Sequence, residues 1–430
     1  MMMSRSSTRI ARSVLPGLLL LPLAVTGLFA QNLPRATPEE VGLSSDRLER
    51  LSHVLRGYVD NGQLAGAVAI IARQGKVAYL ESFGQRDLES GSPMTEDAIF
   101  GIASQSKALV STAVMILQEE GKLLIQDPVG KYMPEFMETT VAVPTEGGGY
   151  EVVEADRLVT IRDLLTHTSG FGYGYGPGRE AWAEAGIQGW YFAHRDEPVG
   201  ETVARIAALP AEAQPGEQFV YGYSTDILGA LVERVSGLPL DTFLRERIFQ
   251  PLGMGDTHFY LPVSKTNRLA TVYSSGETGV ERAPDGPGME TQGQYVEGPR
   301  MSFSGGAGLL SSAEDYATFL QMLLDDGEYD GTRILTPKTV ELMTVDHVGD
   351  YPYGEGVGFG LGFYVLEDLG ARGQPGTVGE FGWGGAYHST YWVDPGEELV
   401  VVYLTQRIPA RRIDDHGKLR ALVYQAILDE

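Results

Sequence analysis

The feature that most constrains the fold is the placement of strand-like segments near both ends of the chain, with helical segments between them. Residues 66–72 and 76–82 are apolar runs separated by a short turn, which predicts a β-hairpin. Near the C-terminus, residues 390–393 and Leu399–Thr405 flank an Asp-Pro-Gly-Glu turn and predict a second hairpin. We expect the two hairpins to join in one antiparallel sheet, with a helical region inserted between them.

Helical periodicity and helix-end signals mark the other segments. Ser45 is a candidate N-cap for the first helix, Gly121 is a candidate terminator of the second, and Ser312 opens a capping sequence. The predicted helices span about residues 45–60, 104–120, 224–236, 312–325 and 417–428. Residues 140–200 are rich in Gly, Tyr and Trp and show little periodicity, which predicts a lid-like or loop-rich region.

These elements predict the α+β class: an antiparallel sheet flanked by helices, plus a mostly helical inserted domain. The chain has 430 residues, which exceeds one ordinary domain without requiring two independent ones. We expect an α/β part formed by about residues 38–100 and 305–430. A helical and loop-rich part would then cover about residues 101–304.

The first 30 residues have the composition of a secretory signal peptide. Arg5, Arg9 and Arg12 precede an apolar run over residues 14–29, and Ala30 offers a small residue at a cleavage point. The alternative is a membrane anchor, but the run is short and two prolines interrupt it. We therefore expect cleavage and a periplasmic or extracellular location, with no stable membrane association after processing.

The composition excludes several classes of function. The chain contains no cysteine, which rules out disulfides, a thiol nucleophile and a lipid-anchored cysteine. Its formal net charge of −24 should repel nucleic acid. The seven histidines show no metal-ligand spacing, so we expect neither a metal nor a cofactor. The sequence carries no signal for the oligomeric state.

The chemistry of the chain centres on Ser104 and Lys107, at the start of the second predicted helix. A step of three residues places both on one helix face, with their Cβ atoms about 5–6 Å apart. Serine needs a nearby base to become a good nucleophile, and a helix N-terminus favours negative charge. A Ser-x-x-Lys sequence by itself also fits a capping serine and a solvated lysine, so other motifs must support the assignment.

Three further motifs provide that support. Residues 164–171 read Leu-Leu-Thr-His-Thr-Ser-Gly-Phe, residues 215–229 contain Tyr-Gly-Tyr-Ser-Thr-Asp, and residues 382–386 read Gly-Trp-Gly-Gly-Ala. Together with the Ser-x-x-Lys sequence, they resemble the class C β-lactamase and penicillin-binding-protein superfamily of serine hydrolases. Within it, the chain is similar above all to the β-lactamase-like carboxylesterases of family VIII. The resemblance covers about residues 38–428 and implies an α/β domain and a mostly helical domain, with the active site between them.

The resemblance implies roles for individual residues. Ser104 and Lys107 match the nucleophile and its lysine, and Tyr221 matches the tyrosine of the second motif. Tyr223 stands where β-lactamases carry an asparagine that contacts the lactam side chain. Trp383 replaces the lysine of the Lys-Thr-Gly motif, which helps to bind a β-lactam carboxylate.

The chemistry also follows from the residues themselves. The Lys107 cation can stabilise a phenolate on Tyr221, and this phenolate could take the proton of Ser104. Gly384-Gly385 allows the backbone to approach a substrate carbonyl closely. The amides of Ser104 and Ala386 are the candidate oxyanion hole.

The candidate substrate-binding residues are Tyr173, Tyr223, Trp383, Gly384 and Gly385. Tyr173 is chosen because it follows a turn that faces the cleft in relatives. Several aromatic residues could wall an acyl or alcohol pocket or equally belong to lid packing: Tyr173, Tyr175, Trp182, Trp190 and Tyr191. His167 is expected to be a buried, hydrogen-bonded structural residue, not part of a Ser-His-Asp triad.

The sequence therefore predicts a serine carboxylic ester hydrolase that works through an acyl-enzyme on Ser104, with Lys107 and Tyr221 as the base pair. Its partner would be a small-molecule ester. One alternative is a β-lactamase or D-amino-acid peptidase on the same fold, which Tyr223 and Trp383 disfavour. Another is a non-catalytic binding or sensing homologue, which the intact Ser104, Lys107 and Tyr221 disfavour.

Overall fold

The two ends of the chain meet in one sheet. The computed structural model describes residues 32–349 and 354–428, so the predicted signal peptide lies outside the described residues. The strands are β1 Gly66–Arg73, β2 Lys76–Asp87, β3 Ser92–Pro93, β4 Phe100–Gly101, β5 Thr140–Pro144, β6 Tyr150–Glu154, β7 Tyr273–Ser275, β8 Val280–Arg282, β9 Leu310–Ser311, β10 Glu328–Tyr329, β11 Thr332–Arg333, β12 Val357–Phe359, β13 Tyr364–Leu366, β14 Phe381–Gly385, β15 Ser389–Asp394 and β16 Leu399–Thr405. Eight of these strands form an antiparallel sheet in the order β12-β13-β14-β15-β16-β1-β2-β3.

Both predicted hairpins are present, and β1 pairs with β16 to join them. Ala67 lies opposite Thr405 and Arg73 opposite Leu399, so the pairing runs along the whole of β1 from its second residue. This confirms the expected single antiparallel sheet. Every residue of β1 is buried, because helices cover both faces of the sheet at its centre.

The helices form the layers on either side. They are α1 Ser45–Asp60, α2 Ser106–Glu119, α3 Ile161–Leu165, α4 Arg179–Glu184, α5 Val199–Ala207, α6 Ser224–Ser236, α7 Leu240–Leu244, α8 Ala313–Leu324, α9 Pro337–Met343, α10 Leu369–Arg372 and α11 Asp415–Tyr424. Helices α1 and α11 pack on the sheet face that carries Ile71, Val401 and Tyr403. Helix α8 packs on the opposite face, and α2 and α6 continue that second core.

Most helices match the sequence predictions, with corrections at their ends. Helix α1 begins at Ser45, but its N-cap is Ser44, whose hydroxyl accepts a hydrogen bond from the Arg47 amide. Ser312 caps α8 as predicted. Helix α11 begins at Asp415, two residues before the predicted start, and ends at Tyr424, four before the predicted end. Neighbouring serines satisfy a capping pattern equally well, so only the backbone conformation decides between them.

The middle of the chain contains more regular structure than its composition predicts. Strands β5 and β6 pair as a hairpin, and α3, α4 and α5 are short helices. These elements are too short for their periodicity to stand out in the sequence. In the described part of the chain, none of the helices has the length and apolar character needed to span a membrane.

Candidate active site

Ser104 lies on a tight turn, and the helix that follows begins two residues later than the sequence predicted. A 3₁₀ turn, Ala103–Gln105, precedes α2, so the helix itself begins at Ser106. Ala103 has a φ of 44°, in the left-handed region that is unfavourable for a residue with a Cβ. The surrounding core holds this turn, since Tyr316 donates a hydrogen bond of 2.8 Å to the Gln105 carbonyl. The strained residue next to Ser104 is typical of functional sites.

Lys107 is buried beside Ser104, with 2% of its surface exposed. Its Nζ lies 3.3 Å from the Ser104 hydroxyl and 3.2 Å from the Tyr173 hydroxyl. It also donates a hydrogen bond of 2.7 Å to the Gly306 carbonyl. The spacing in the sequence therefore brings serine and lysine into contact, and the fold adds two oxygen partners that the sequence did not reveal.

Asp226 anchors the backbone of Gly306 through its amide, and the carbonyl of the same residue accepts the hydrogen bond from Lys107. Its Oδ1 accepts hydrogen bonds from the Ser304 hydroxyl at 2.6 Å and from the Gly306 amide at 3.1 Å. Its Oδ2 is buried and has no hydrogen-bond partner among the described residues. Burial raises the pKa of the Asp226 carboxyl above its usual range, and hydrogen bonds and the Lys107 charge oppose this effect. Asp226 belongs to the Ser-Thr-Asp motif quoted from the sequence, where it was given no role. The signal that sequence reasoning missed is the presence of a charged residue on the buried face of α6.

Tyr221 contacts Lys107 through the face of its ring. The Lys107 Nζ lies 4.6 Å from the ring centroid, within the range of a cation–π contact. The Tyr221 hydroxyl accepts a hydrogen bond of 3.0 Å from the Trp383 indole nitrogen. The sequence placed Trp383 at a substrate-binding position, and the structure shows in addition that it contacts the oxygen of the candidate base.

His167 packs against the ring of Tyr221. Its ring centroid lies 4.7 Å from that of Tyr221, and 1% of its surface is exposed. Burial and, to a smaller extent, the Lys107 charge hold the pKa of His167 well below its usual value, so the imidazole is neutral. The predicted burial is confirmed. The predicted hydrogen bonding needs correction, because Nδ1 has no partner among the described residues and aromatic packing holds the ring.

The end of β14 lies against the Ser104 turn. A Cβ at Gly385 would lie 2.6 Å from the Ile102 carbonyl oxygen, so only glycine permits this approach. Ala386 follows at once, at the start of the turn between β14 and β15. The two candidate oxyanion residues, Ser104 and Ala386, therefore stand on neighbouring turns that line the same cleft.

This cleft has a volume of about 700 Å³. Its lining residues are Ser104, Tyr173, Trp190, Tyr221, Tyr364, Trp383, Gly384, Gly385, Ala386, His388, Ser389, Thr390, Ile408, Pro409, Ala410 and His416. None of these described lining residues is Lys or Arg, and its walls are aromatic or small. Of the aromatic residues that the sequence offered as a possible pocket wall, Tyr173 and Trp190 line the cleft. The sequence prediction had not included Tyr364, His388 or His416, because their positions depend on segments that meet only in the fold.

Tyr223 needs correction as a substrate-binding residue. Its side chain is fully buried, and its hydroxyl donates a hydrogen bond of 2.7 Å to the Gly189 carbonyl. Its ring stacks between Trp182 and Phe192 and lies 5.2 Å from the Tyr173 ring. Tyr223 therefore packs against Tyr173 from the protein interior and does not line the cleft. In an extended segment, Tyr221 and Tyr223 would point to the same side. Tyr223 instead has helical backbone angles, φ −75° and ψ −1°, at the N-cap of α6, so the two side chains point in different directions.

The comparisons with known proteins agree with this geometry. A family model described as Beta-lactamase matches residues 51–425. The chain belongs to the Beta-lactamase family. Within it, the esterase EstB of Burkholderia gladioli is 35% identical over 370 residues, which cover 83% of this chain and 89% of EstB.

Two solved structures are also similar to this chain in fold and sequence. The first is EstCE1, described as a hydrolase with promiscuous acyltransferase activity, at 30% identity and a TM-score of 0.77 over 88% of this chain and 98% of EstCE1. The second is a simvastatin synthase variant from Aspergillus terreus, at 25% identity and a TM-score of 0.74 over 89% of this chain and 95% of the synthase. This Beta-lactamase family member is therefore a serine hydrolase with esterase and acyltransferase neighbours, and its predicted α+β fold is confirmed.

We predict that Asp226→Ala lowers kcat roughly 10- to 100-fold, because the Gly306 carbonyl loses its anchor and Lys107 shifts relative to Ser104. Asp226→Asn should keep most of the activity, because its amide oxygen can still accept the bonds from Ser304 and Gly306. Ester turnover and thermal unfolding of both variants are measured side by side. Equal losses in the two variants would show that the charge of Asp226, not its hydrogen bonding, is what matters.

Proposed function

We propose that this protein hydrolyses neutral carboxylic esters through an acyl-enzyme on Ser104. The observation that carries the proposal is the absence of Lys and Arg from the described residues that line the cleft, together with Trp383 at its base. A neutral ester does not need a fixed cation for binding. The aromatic and small side chains of the wall can pack against its acyl and alcohol parts.

The proposed reaction begins with proton transfer from Ser104 to the Lys107 and Tyr221 pair. The Ser104 Oγ attacks the ester carbonyl carbon, and the amides of Ser104 and Ala386 stabilise the resulting oxyanion. When the tetrahedral intermediate collapses, the carbon–oxygen bond to the alcohol breaks and the base pair returns its proton to the alcohol. Water, activated by the same pair, then releases the acid and restores the serine.

Trp383 supports Tyr221 as the proton acceptor. A hydrogen bond from an N–H group favours the anionic form of the oxygen that receives it, and the Trp383 indole donates to the Tyr221 oxygen. The Lys107 ammonium, against the ring face, adds positive potential. Both contacts place positive charge density beside the side chain that is proposed to accept the Ser104 proton.

The competing activities are less well supported. A β-lactam or a D-alanyl peptide carries a carboxylate, and an unpaired carboxylate in this cleft would lose several kcal/mol of binding free energy. A non-catalytic role would leave the contact between Lys107 and Ser104, and the strained turn that supports it, without a purpose. The ester hydrolase is therefore the function that the site supports best.

We predict that Ser104→Ala abolishes turnover of all substrates, because no other serine in the described cleft contacts a buried lysine. A fluorophosphonate probe should add once to the wild type, on the peptide that contains Ser104. Intact-mass and peptide mass spectrometry measure this, with the exposed Ser90→Ala as the control that retains labelling. A label on any other residue would contradict the assignment.

We predict that Trp383→Phe lowers kcat/KM for a neutral ester roughly 10- to 100-fold. A hydrogen bond to a charged group contributes about 1.5–3 kcal/mol, and the variant cannot donate one to the Tyr221 oxygen. Ester turnover and thermal unfolding are measured for this variant and for Trp190→Phe, which removes an indole from the same cleft without touching Tyr221. Trp190→Phe should keep most of the activity. Equal losses in the two variants would show that the contact between Trp383 and Tyr221 does not support catalysis.

We predict that kcat/KM for p-nitrophenyl butyrate far exceeds that for nitrocefin or a D-alanyl-D-alanine peptide. The ester binds without a cationic partner, whereas the other two substrates leave a carboxylate unpaired. Trp383→Lys should narrow the gap, since it restores a cation at that strand position. A wild-type enzyme that cleaved either comparison substrate as well as the ester would refute the esterase assignment.

A further inference from the structure

A cluster of two imidazoles and one carboxylate lies on the wall of the cleft. His388 stands on the turn between β14 and β15, and Asp415 and His416 form the first turn of α11. Each of the three side chains offers one ligand atom, and these atoms all lie within 4.8 Å of one another. The spacing of 27 residues between His388 and Asp415 explains why the sequence showed no metal-ligand pattern.

The carboxylate is held in a defined orientation at the centre of the cluster. Asp415 is fully buried, and its Oδ1 lies 2.7 Å from the His388 Nε2. Its Oδ2 accepts a hydrogen bond of 3.1 Å from the Tyr403 hydroxyl. Metal-binding carboxylates usually have such an outer partner, which orients the ligand and lowers the cost of binding.

The two imidazoles are also close and partly accessible. The His388 and His416 rings are stacked, with centroids 4.0 Å apart and an angle of 12° between the planes, and the His416 Nε2 lies 3.3 Å from the His388 carbonyl oxygen. An imidazole binds a metal in the plane of its ring, so an ion bound by both residues requires one ring to turn out of this stack. Both residues line the cleft that contains Ser104, so an ion could enter from solvent.

His388 is held in place by more than the cluster. It has a φ of 61°, and the Thr405 hydroxyl donates a hydrogen bond of 2.6 Å to its carbonyl oxygen. Its backbone is therefore constrained in a left-handed conformation that a non-glycine residue adopts only when its surroundings require it. This turn fixes where the His388 side chain begins and directs it towards α11.

We propose that His388, Asp415 and His416 form a binding site for a divalent transition-metal ion of the zinc type, with its open coordination position towards the cleft. Two histidines and one carboxylate are a common protein ligand set for zinc when a fourth position stays free. Imidazole nitrogen with a carboxylate oxygen favours Zn²⁺, Ni²⁺ or Cu²⁺ over Mg²⁺ or Ca²⁺. Metal binding here does not depend on the proposed esterase activity, although His388 and His416 line the same cleft as Ser104.

Metal binding at this site should move the turn between β14 and β15, which carries the candidate oxyanion residue Ala386. Ligand distances of about 2.0–2.2 Å at a tetrahedral ion require the His388 nitrogen and the Asp415 oxygen to stand about 3.3 Å apart. The two atoms are 2.7 Å apart, so an ion between them must separate them and replace the hydrogen bond that joins them. His388 lies two residues after Ala386, and the movement should disturb its amide. We therefore expect bound zinc to lower ester turnover.

The decisive experiment is direct binding of Zn²⁺ by isothermal titration calorimetry, together with Co²⁺ absorption spectroscopy, on the whole protein. The wild type should bind one ion, and Co²⁺ should give the strong visible bands of a site with four or five ligands. His416→Gln and His388→Gln should each weaken binding at least about tenfold. His53→Gln, on the exposed side of α1, is the matched control and should bind as the wild type does.

Ser104→Ala separates this proposal from the esterase assignment, because it should bind zinc normally while being inactive. Circular dichroism shows whether the His388 and His416 variants stay folded, and Asp415→Asn provides a third variant if one of them does not. If His388→Gln and His416→Gln both bind zinc with the affinity of the wild type, the proposal is overturned. The absence of one-to-one binding in the wild type would also overturn it.

Discussion

Burial of the Lys107 ammonium beside Ser104 is the interaction on which the rest of the site depends. An ammonium group removed from water loses several kcal/mol of hydration free energy, which only close oxygen partners can offset. The fold supplies them from three directions: the Ser104 hydroxyl, the Tyr173 hydroxyl and the Gly306 carbonyl. The Gly306 amide in turn donates a hydrogen bond to Asp226. A carboxylate in α6 therefore helps to compensate a charge in α2 without contacting it.

The sheet provides the opposite wall of the site. Strand β14 can approach the Ser104 turn because Gly385 has no side chain, and its neighbour β15 ties that edge to the centre of the sheet. Trp383, on the same strand, reaches across the cleft to the Tyr221 oxygen. Trp383 thus lines the cleft and also donates a hydrogen bond to the candidate base. None of the described lining residues is Lys or Arg, which is the basis for proposing a neutral substrate.

The turn after β14 connects this wall to a second group of polar residues. His388 follows the candidate oxyanion residue Ala386 and meets Asp415 at the start of α11. The Asp415 carboxylate is also bonded to Tyr403 in β16, so the turn is fixed from the sheet and from the helix together. The cleft is therefore lined by two chemically distinct groups: Ser104 and Tyr221, which contact Lys107, and the imidazoles of His388 and His416, which adjoin Asp415.

The sequence by itself determined the two hairpins of the main sheet, the longer helices and the central pair of candidate catalytic residues. Hairpins such as β1–β2 and β15–β16 have local apolar patterns and turn residues, and the three-residue step from Ser104 to Lys107 is set by helix geometry. Tertiary structure decided the rest: the cap at Ser44, the burial of Tyr223, the anchoring of Gly306 by Asp226, and the contact between Trp383 and Tyr221, which are 162 residues apart. The physical reason is that periodicity encodes which face of an element is apolar. It does not encode which distant side chain that face will meet, because that depends on how the packed layers fit together.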